Sequence, residues 1–283
     1  ANSMLSVDFY HTSCREAESI ITSAMSQAFK RDPTLAASLL RLHFHDCFVQ
    51  GCDASVLLDY TEHHAGEKTA LPNDQSLRGF EVIDTIKAEL EKACPHTVSC
   101  SDVIAAVARD SVVLSGGPRW SVEFGRRDSI TVANNVTVLQ GLPSPNSELA
   151  DLLAKFEQIG MNLRDIVALS GGHTIGSARC FFLKGQRPNS CSRNETHASL
   201  DQTPKVFDNN YYLALLRKNM NGGFFQSDNA LVKFTPALDL VQIYATNSTA
   251  FFDDFATSML KMGRIAPLLG SEGEVRINCR MVN

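Results

Sequence analysis

The sequence lacks a basic excess. Its 26 Lys and Arg stand against 31 Asp and Glu, for a formal net charge of −5. A nucleic-acid partner needs a basic stripe to neutralise phosphates, so that class is not expected. No run of eighteen apolar residues is present, so no membrane-spanning helix is expected either. The opening "ANSMLSVDFY" lacks the basic and apolar regions of a signal peptide, and the chain is read as a mature one. Tryptophan occurs once, at Trp120. Strand-like runs are scarce, and "WSVEF" (120–124) is the best of them. No internal repeat or long linker breaks the chain, so we read a single, mainly helical domain.

Cysteine, by contrast, is plentiful. Eight residues (Cys14, Cys47, Cys52, Cys94, Cys100, Cys180, Cys191 and Cys279) are spread through 283 positions. An even number in a chain this long points to disulfides and an oxidising compartment. Three sequons agree, at Asn135, Asn194 and Asn247.

Helix signals follow one another. Ser13 and Glu16 have capping-box spacing before Ile20, Ile21, Ala24 and Met25. Asp32-Pro33 offers an N-cap and first-turn proline for the run through 34–46. Ser76 is placed to cap "GFEVIDTIKAEL", and Ser99 to Asp102 to open "VIAAVARDSVVL". Further helices are expected at 146–159, at 162–170 with an Asn162/Asp165 box, at 208–219, from Thr235-Pro236, and over "AFFDDFATSMLKM".

Two stretches carry chemistry. In "LRLHFHDCFVQGCDAS" (40–55), Arg41 and His45 lie at i and i+4 on one helix face, with Phe44 beside them. His43 points elsewhere, as a core histidine would. Beyond the helix, Asp46, Asp53 and Ser55 supply hard oxygens, and Gly51 permits a sharp turn. That suits calcium, which takes six to eight oxygens. Cys47 and Cys52 are spaced to close the loop as a local disulfide. A zinc site from His43, His45, Cys47 and Cys52 is the rival, but its spacing is not that of a recognised finger and an oxidising compartment disfavours it. In "DIVALSGGHTIGSARC" (165–180), His173 follows two glycines that let something bulky approach the backbone. A helix C-cap with a dipole-friendly histidine explains the same letters.

Together these stretches resemble the secretory plant haem peroxidases, the class III family. "RLHFHDCFVQGCDAS" is similar to the distal signature and "ALSGGHTIG" to the proximal one. "GEKTALPN", "RGFEVID", "CPHTVSCSD", "GGPRWSVEFGRRDS", "FDNNYY" and "MGRIAPLLGSEGEVRINCR" match in order. The resemblance covers essentially the whole chain. It implies an all-α fold of two helical lobes sandwiching haem b: a distal lobe of roughly 1–140 plus the C-terminal segment, and a proximal lobe of roughly 141–265. His173 is implied as the axial ligand. His45 is implied as the distal acid/base, with Arg41 its partner, Phe44 packing over the haem and Asn73 accepting the histidine's Nδ1 hydrogen. Asp46, Val49, Gly51, Asp53 and Ser55 resemble distal calcium ligands, with Glu67 further back. Thr174, Thr203, Val206 and Asp208 resemble a second, proximal calcium set. Asp201 is a weaker match to that set, since it precedes Thr203 by two positions where the family usually has three, and a weakened proximal site is implied.

The implied disulfides are Cys14–Cys94, Cys47–Cys52, Cys100–Cys279 and Cys180–Cys191. The last encloses a shorter loop than the family usually has, so a more open substrate entrance is expected. The family also places a carboxylate behind the axial histidine, and Asp239 is the candidate. Pro143 is the implied substrate contact, with Leu71 and Phe182 beside it. Arg179 is placed for a haem propionate or for the surface. His11, His63, His64, His96 and His197 match no active position.

The implied activity is reduction of hydrogen peroxide with one-electron oxidation of small phenols, such as lignin or suberin precursors. The setting is a secreted monomer, in wall or vacuole. His45 must rest neutral to accept and return a proton; the Arg41 charge favours that, and Asn73 holds the tautomer. An ascorbate-type enzyme would carry a distal tryptophan where Phe44 stands, and Trp120 lies far from both signatures. A calcium-dependent wall-binding protein without turnover would not need Arg41, His45 and His173 intact.

Overall fold

The computed structural model describes residues 4–59, 66–180, 191, 196–217 and 222–283. It is mostly helical, and the chain divides into two compact units: Ala1–Leu114 with Arg119–Leu142 and Leu260–Asn283, and Ser115–Pro118 with Pro143–Met259.

The first unit holds α1 (Ala17–Arg31), α2 (Leu35–Cys47), α3 (Phe80–Ala93), α4 (Cys100–Leu114) and α5 (Asn135–Gly141). α4 is its centre and packs against α1, α2 and α3. Its residues from Cys100 to Val112 are all buried. Ala105, Ala106 and Ala108 keep that helix slim, so neighbours approach closely. On α3, Ile83, Ile86 and Leu90 are fully buried at helical spacing. Each such side chain stabilises the unit by about 1.5–3 kcal/mol relative to exposure.

The charges buried with them are paired. Asp102 accepts from Arg126 Nη1 (2.8 Å), the Tyr10 hydroxyl (2.7 Å) and Gly125 N (2.7 Å). Ser99 Oγ caps α4 by accepting from Asp102 N at 3.1 Å. Buried Arg276 donates to the carbonyls of Ala54, Cys279 and Ser129, tying the C-terminal segment to the loop after α2. Disulfides Cys14–Cys94, Cys47–Cys52 and Cys100–Cys279 staple this unit.

The second unit holds α6 (Leu149–Gln158), α7 (Leu163–Ser170), α8 (Asn210–Leu215), α9 (Gln226–Ala230), α10 (Thr235–Thr246) and most of α11 (Ser248–Met262). The Asn162/Asp165 capping box opens α7 as its letters require. A 3₁₀ turn, Gly171–Thr174, continues α7 and carries His173. Phe207, Tyr212, Tyr244, Phe251 and Phe255 pack ring against ring beneath it. Strands β1 (Ser177–Arg179) and β2 (His197–Ser199) pair antiparallel, with Ala178 opposite Ala198. The Cys180–Cys191 disulfide lies next to them.

Several local expectations change. α1 starts after Glu16 with no side-chain cap, so Ser13 forms no box there. Asp32 caps the turn before α2 instead of the helix itself: its Oδ1 accepts from Thr34 N at 2.9 Å. Ser76 does not cap α3, whose N-cap is Gly79. "WSVEF" forms no strand and contributes only an isolated bridge between Ser6 and Phe124. The helix expected at 208–219 is shorter, ending at Leu215.

Candidate active site

α2 places Arg41 and His45 one turn apart in the first unit. His45 is 5% exposed. Its Nδ1 lies 2.6 Å from Asn73 Oδ1. The Asn73 amide donates to the Glu67 carbonyl at 2.9 Å, which fixes the amide's orientation. The His45 Nδ1 therefore carries the hydrogen and donates it, leaving the Nε2 lone pair available. Burial first, and the Arg41 charge second, hold the imidazole well below its usual range, while the Asn73 bond pulls the other way. The neutral, tautomer-locked state expected from the sequence is thus the one the surroundings enforce. Phe44 packs against Phe48 with the rings tilted by 41° (centroids 4.3 Å) and meets His45 edge-on at 5.6 Å. The Arg41 guanidinium donates to Ser76 Oγ (2.8 Å), Ser76 O (3.1 Å) and Pro72 O (2.8 Å). Ser76 reads as a helix cap in the sequence, and its role as an arginine anchor was missed.

The loop after α2 bends through left-handed backbone at Gln50, Gly51 and Ala54. At Gly51, φ is +116° and a Cβ would lie 2.3 Å from the Ala266 carbonyl oxygen, so only glycine fits. Around it Asp46, Asp53, Ser55 and Glu67 are buried. Both carboxylate oxygens of Asp46, the Ser55 Oγ and the Glu67 Oε2 have no hydrogen-bond partner among the described residues. Buried unpaired carboxylate oxygens are strongly disfavoured unless something cationic meets them. Burial, then the charges of Asp53 and Glu67, hold the Asp46 carboxyl well above the carboxylate range, against the nearby Ala54 amide and Arg276. Burial also raises Asp53, and it pushes Glu67 up to about 7. The donor set, hard oxygens with surplus negative charge, fits calcium. No group of three His, Cys, Asp or Glu among the described residues forms a ready-made metal cage, so carboxylates alone do not complete the site. Glu67 links the two clusters: its carbonyl orients Asn73 and its carboxylate faces the loop. The zinc alternative fails, because Cys47 and Cys52 are joined to each other. His43 is a buried core residue pushed down to about 3 by burial and the Arg126 charge.

In the second unit His173 is partly exposed and its Nδ1 lies 2.9 Å from Asp228 Oδ1. The carboxylate takes the Nδ1 hydrogen, and Nε2 makes no hydrogen bond among the described residues. Such an imidazole fits an axial haem ligand: half accessible, with the right nitrogen free and a carboxylate behind it. The carboxylate is Asp228, not Asp239. Asp239 is exposed on α10, whereas Asp228 is buried at the start of α9, where its Oδ2 also accepts from Phe225 N at 2.8 Å. At Gly171 a Cβ would lie 2.3 Å from Tyr212 Oη and 2.4 Å from Phe251, so the bulky groups approaching this turn include these two rings.

The proximal oxygens also gather. Thr174 Oγ1 lies 2.7 Å from Asp201 and 3.0 Å from Asp208, and Thr203 N donates to Asp201 at 2.7 Å. Asp201 is therefore part of this group despite its register. These carboxylates already have donors, Asn210 included, in contrast to Asp46. Val206 is 48% exposed beside them.

Leu71 is 84% exposed and Pro143 partly so. Arg179 ends β1 opposite His197. Asn135 and Asn247 are exposed. Phe182, Asn194, His63 and His64 lie outside the described residues.

The mostly helical fold is consistent with a peroxidase, and the comparisons with known proteins show that class. The family model "Peroxidase" matches residues 21–247. The chain is 49% identical to Peroxidase 40 of Arabidopsis thaliana, over 99% of this chain and 86% of that protein. It is 48% identical to Peroxidase 20 of the same plant, over 97% and 90% of the two chains. It is 44% identical to Peroxidase 4 of Vitis vinifera, over 100% and 93%. The chain belongs to the plant class III peroxidase family.

Proposed function

We propose that the chain is a secreted haem b peroxidase that reduces hydrogen peroxide and oxidises small phenols in one-electron steps, in the cell wall, as a monomer. The observation that carries this is the pair of Nδ1 contacts: His45 to Asn73 and His173 to Asp228, each leaving an Nε2 free. His173 would hold the haem iron, which when bound supplies the redox centre that accepts the oxidising equivalents of peroxide.

The chain's own residues handle the protons and charge. His45 Nε2 takes the proton from one peroxide oxygen and returns it to the oxygen that leaves as water. General acid–base transfer of this kind contributes about 10²–10⁴-fold. Arg41, held by Ser76 and Pro72, sets a fixed positive charge one helical turn away to stabilise the negative charge that develops as the O–O bond stretches. Asn73 keeps the tautomer, and Glu67 keeps Asn73. Asp228 makes His173 a stronger donor through its Nδ1.

Asp46, Asp53, Ser55 and the Val49 and Gly51 carbonyls would hold a distal calcium, fixing the end of α2 that carries His45. Thr174, Asp201, Thr203, Val206 and Asp208 would hold a second one. Pro143 and Leu71 would meet phenolic donors such as lignin or suberin precursors, and Asn135 and Asn247 would carry glycans.

The test is His45→Ala followed by stopped flow with peroxide. Haem absorption is retained and the peroxide-driven spectral change slows by about 10²-fold or more. A near-normal rate would remove His45 from the reaction.

A further inference from the structure

Asp228 serves two donors with one oxygen. Its Oδ1 lies 2.9 Å from His173 Nδ1 and 2.9 Å from the Tyr211 hydroxyl. Its other oxygen is taken by Phe225 N. Tyr211 and Asp228 are each 2% exposed, so water does not substitute for either bond. The Tyr211 ring stands edge-on to the His173 imidazole, with centroids 6.0 Å apart at 75°. Tyr212 anchors α8 from the next position, its hydroxyl donating to Val167 O at 2.9 Å.

A carboxylate behind a ligating histidine raises that ligand's basicity by drawing on its N–H. A second hydrogen bond to the same oxygen stabilises the carboxylate charge and weakens that pull. We propose that Tyr211 is a positioning residue that moderates the axial histidine: by sharing Asp228 Oδ1 it limits how much imidazolate character His173 acquires. The inference rests on the reading of His173 as the haem ligand. It would set how strongly the protein favours oxidised over reduced iron, through a residue that acts on His173 by way of Asp228.

The test uses the holoenzyme, with resonance Raman of the reduced form for the iron–histidine stretch and potentiometry for the ferric/ferrous couple. Tyr211→Phe frees Asp228 to pull harder on Nδ1–H. The stretch moves to higher frequency and the ferric form is favoured by about tenfold, or ~59 mV for one electron. Tyr212→Phe, which removes a neighbouring buried hydroxyl not bonded to Asp228, leaves both readouts in place. Should Tyr211→Phe fail to load haem, 3,5-difluorotyrosine placed at 211 decides instead: a more acidic phenol donates more strongly and shifts both readouts the opposite way. A stretch and a potential that match wild type in the substituted proteins overturn the proposal. Absence of any iron–histidine band in the unaltered protein would instead overturn the axial role of His173, so the two failures are told apart.

Discussion

Without the cation that the loop after α2 is proposed to hold, the protein should become less stable as pH rises, a sign opposite to that of most carboxylate networks. Glu67 has an ordinary value of 4.5 and is pushed up to about 7 by burial. Between those values the cation-free folded state holds a proton that the unfolded chain has released. Stability therefore falls across that window with a slope of up to ~1.4 kcal/mol per pH unit, reaching about 3 kcal/mol above pH 7 for Glu67 alone. Asp46 and Asp53 act in the same direction. A bound divalent ion neutralises all three and removes the effect. At roughly 2 °C per kcal/mol for a chain of this size, the melting gap between calcium-loaded and stripped protein should widen by more than about 5 °C from pH 5 to pH 7.5. Differential scanning calorimetry, with elemental analysis to confirm stripping, reads this directly. Taking the difference between the two forms cancels His43 and His45, which are buried neutral and lose stability as pH falls below 6.5. Glu67→Gln should reduce the pH dependence of the stripped form, leaving the part due to Asp46 and Asp53, and so separates this loop from the proximal oxygens. A gap that is equal at both pH values, with calcium shown to have left, would refute the reasoning.

Other outcomes follow from the same geometry. Because His45 is held neutral by burial and Arg41, peroxide reactivity should stay level as pH falls through 6.5 and drop only well below it. Arg41→Leu should move that drop upward in stopped-flow pH profiles. Asp228→Asn should raise the ferric/ferrous potential and lower the iron–histidine stretch, whereas Asp239→Asn should change neither, since Asp239 is exposed on α10. Gly171→Ala forces a methyl against Tyr212 Oη and Phe251. It should destabilise by about 1–3 kcal/mol in urea unfolding and loosen the turn that carries His173.

What the sequence reveals depends on how local each interaction is. Arg41 and His45 are legible as a pair because four residues on α2 put them on one face. The Asn162/Asp165 box is legible because both bonds fall within one turn. Asp228 was not: it meets His173 across 55 positions, and by itself an aspartate at the start of a short helix reads as a cap, which it also is. The family resemblance puts the carboxylate at Asp239 instead, eleven positions further along the chain. Register alone makes Asp201 a weak match, yet its side chain reaches Thr174, because a one-residue shift moves the backbone while a flexible carboxylate still finds its donors. Ser76 shows the reverse case. Its hydroxyl lies between the Pro72 carbonyl, to which it donates, and the Arg41 guanidinium, from which it accepts, so a good capping letter serves a tertiary contact. "WSVEF" has strand composition but among the described residues finds only Ser6 to pair with.

The most direct test is the absorption and resonance Raman spectrum of the purified protein, before and after one equivalent of hydrogen peroxide, beside His173→Ala. We expect a Soret band with an iron–histidine stretch that is lost in the variant, and a peroxide-driven change within the stopped-flow window. Protein that binds no haem when supplied with haem and calcium, or whose iron–histidine band survives His173→Ala, would contradict the account.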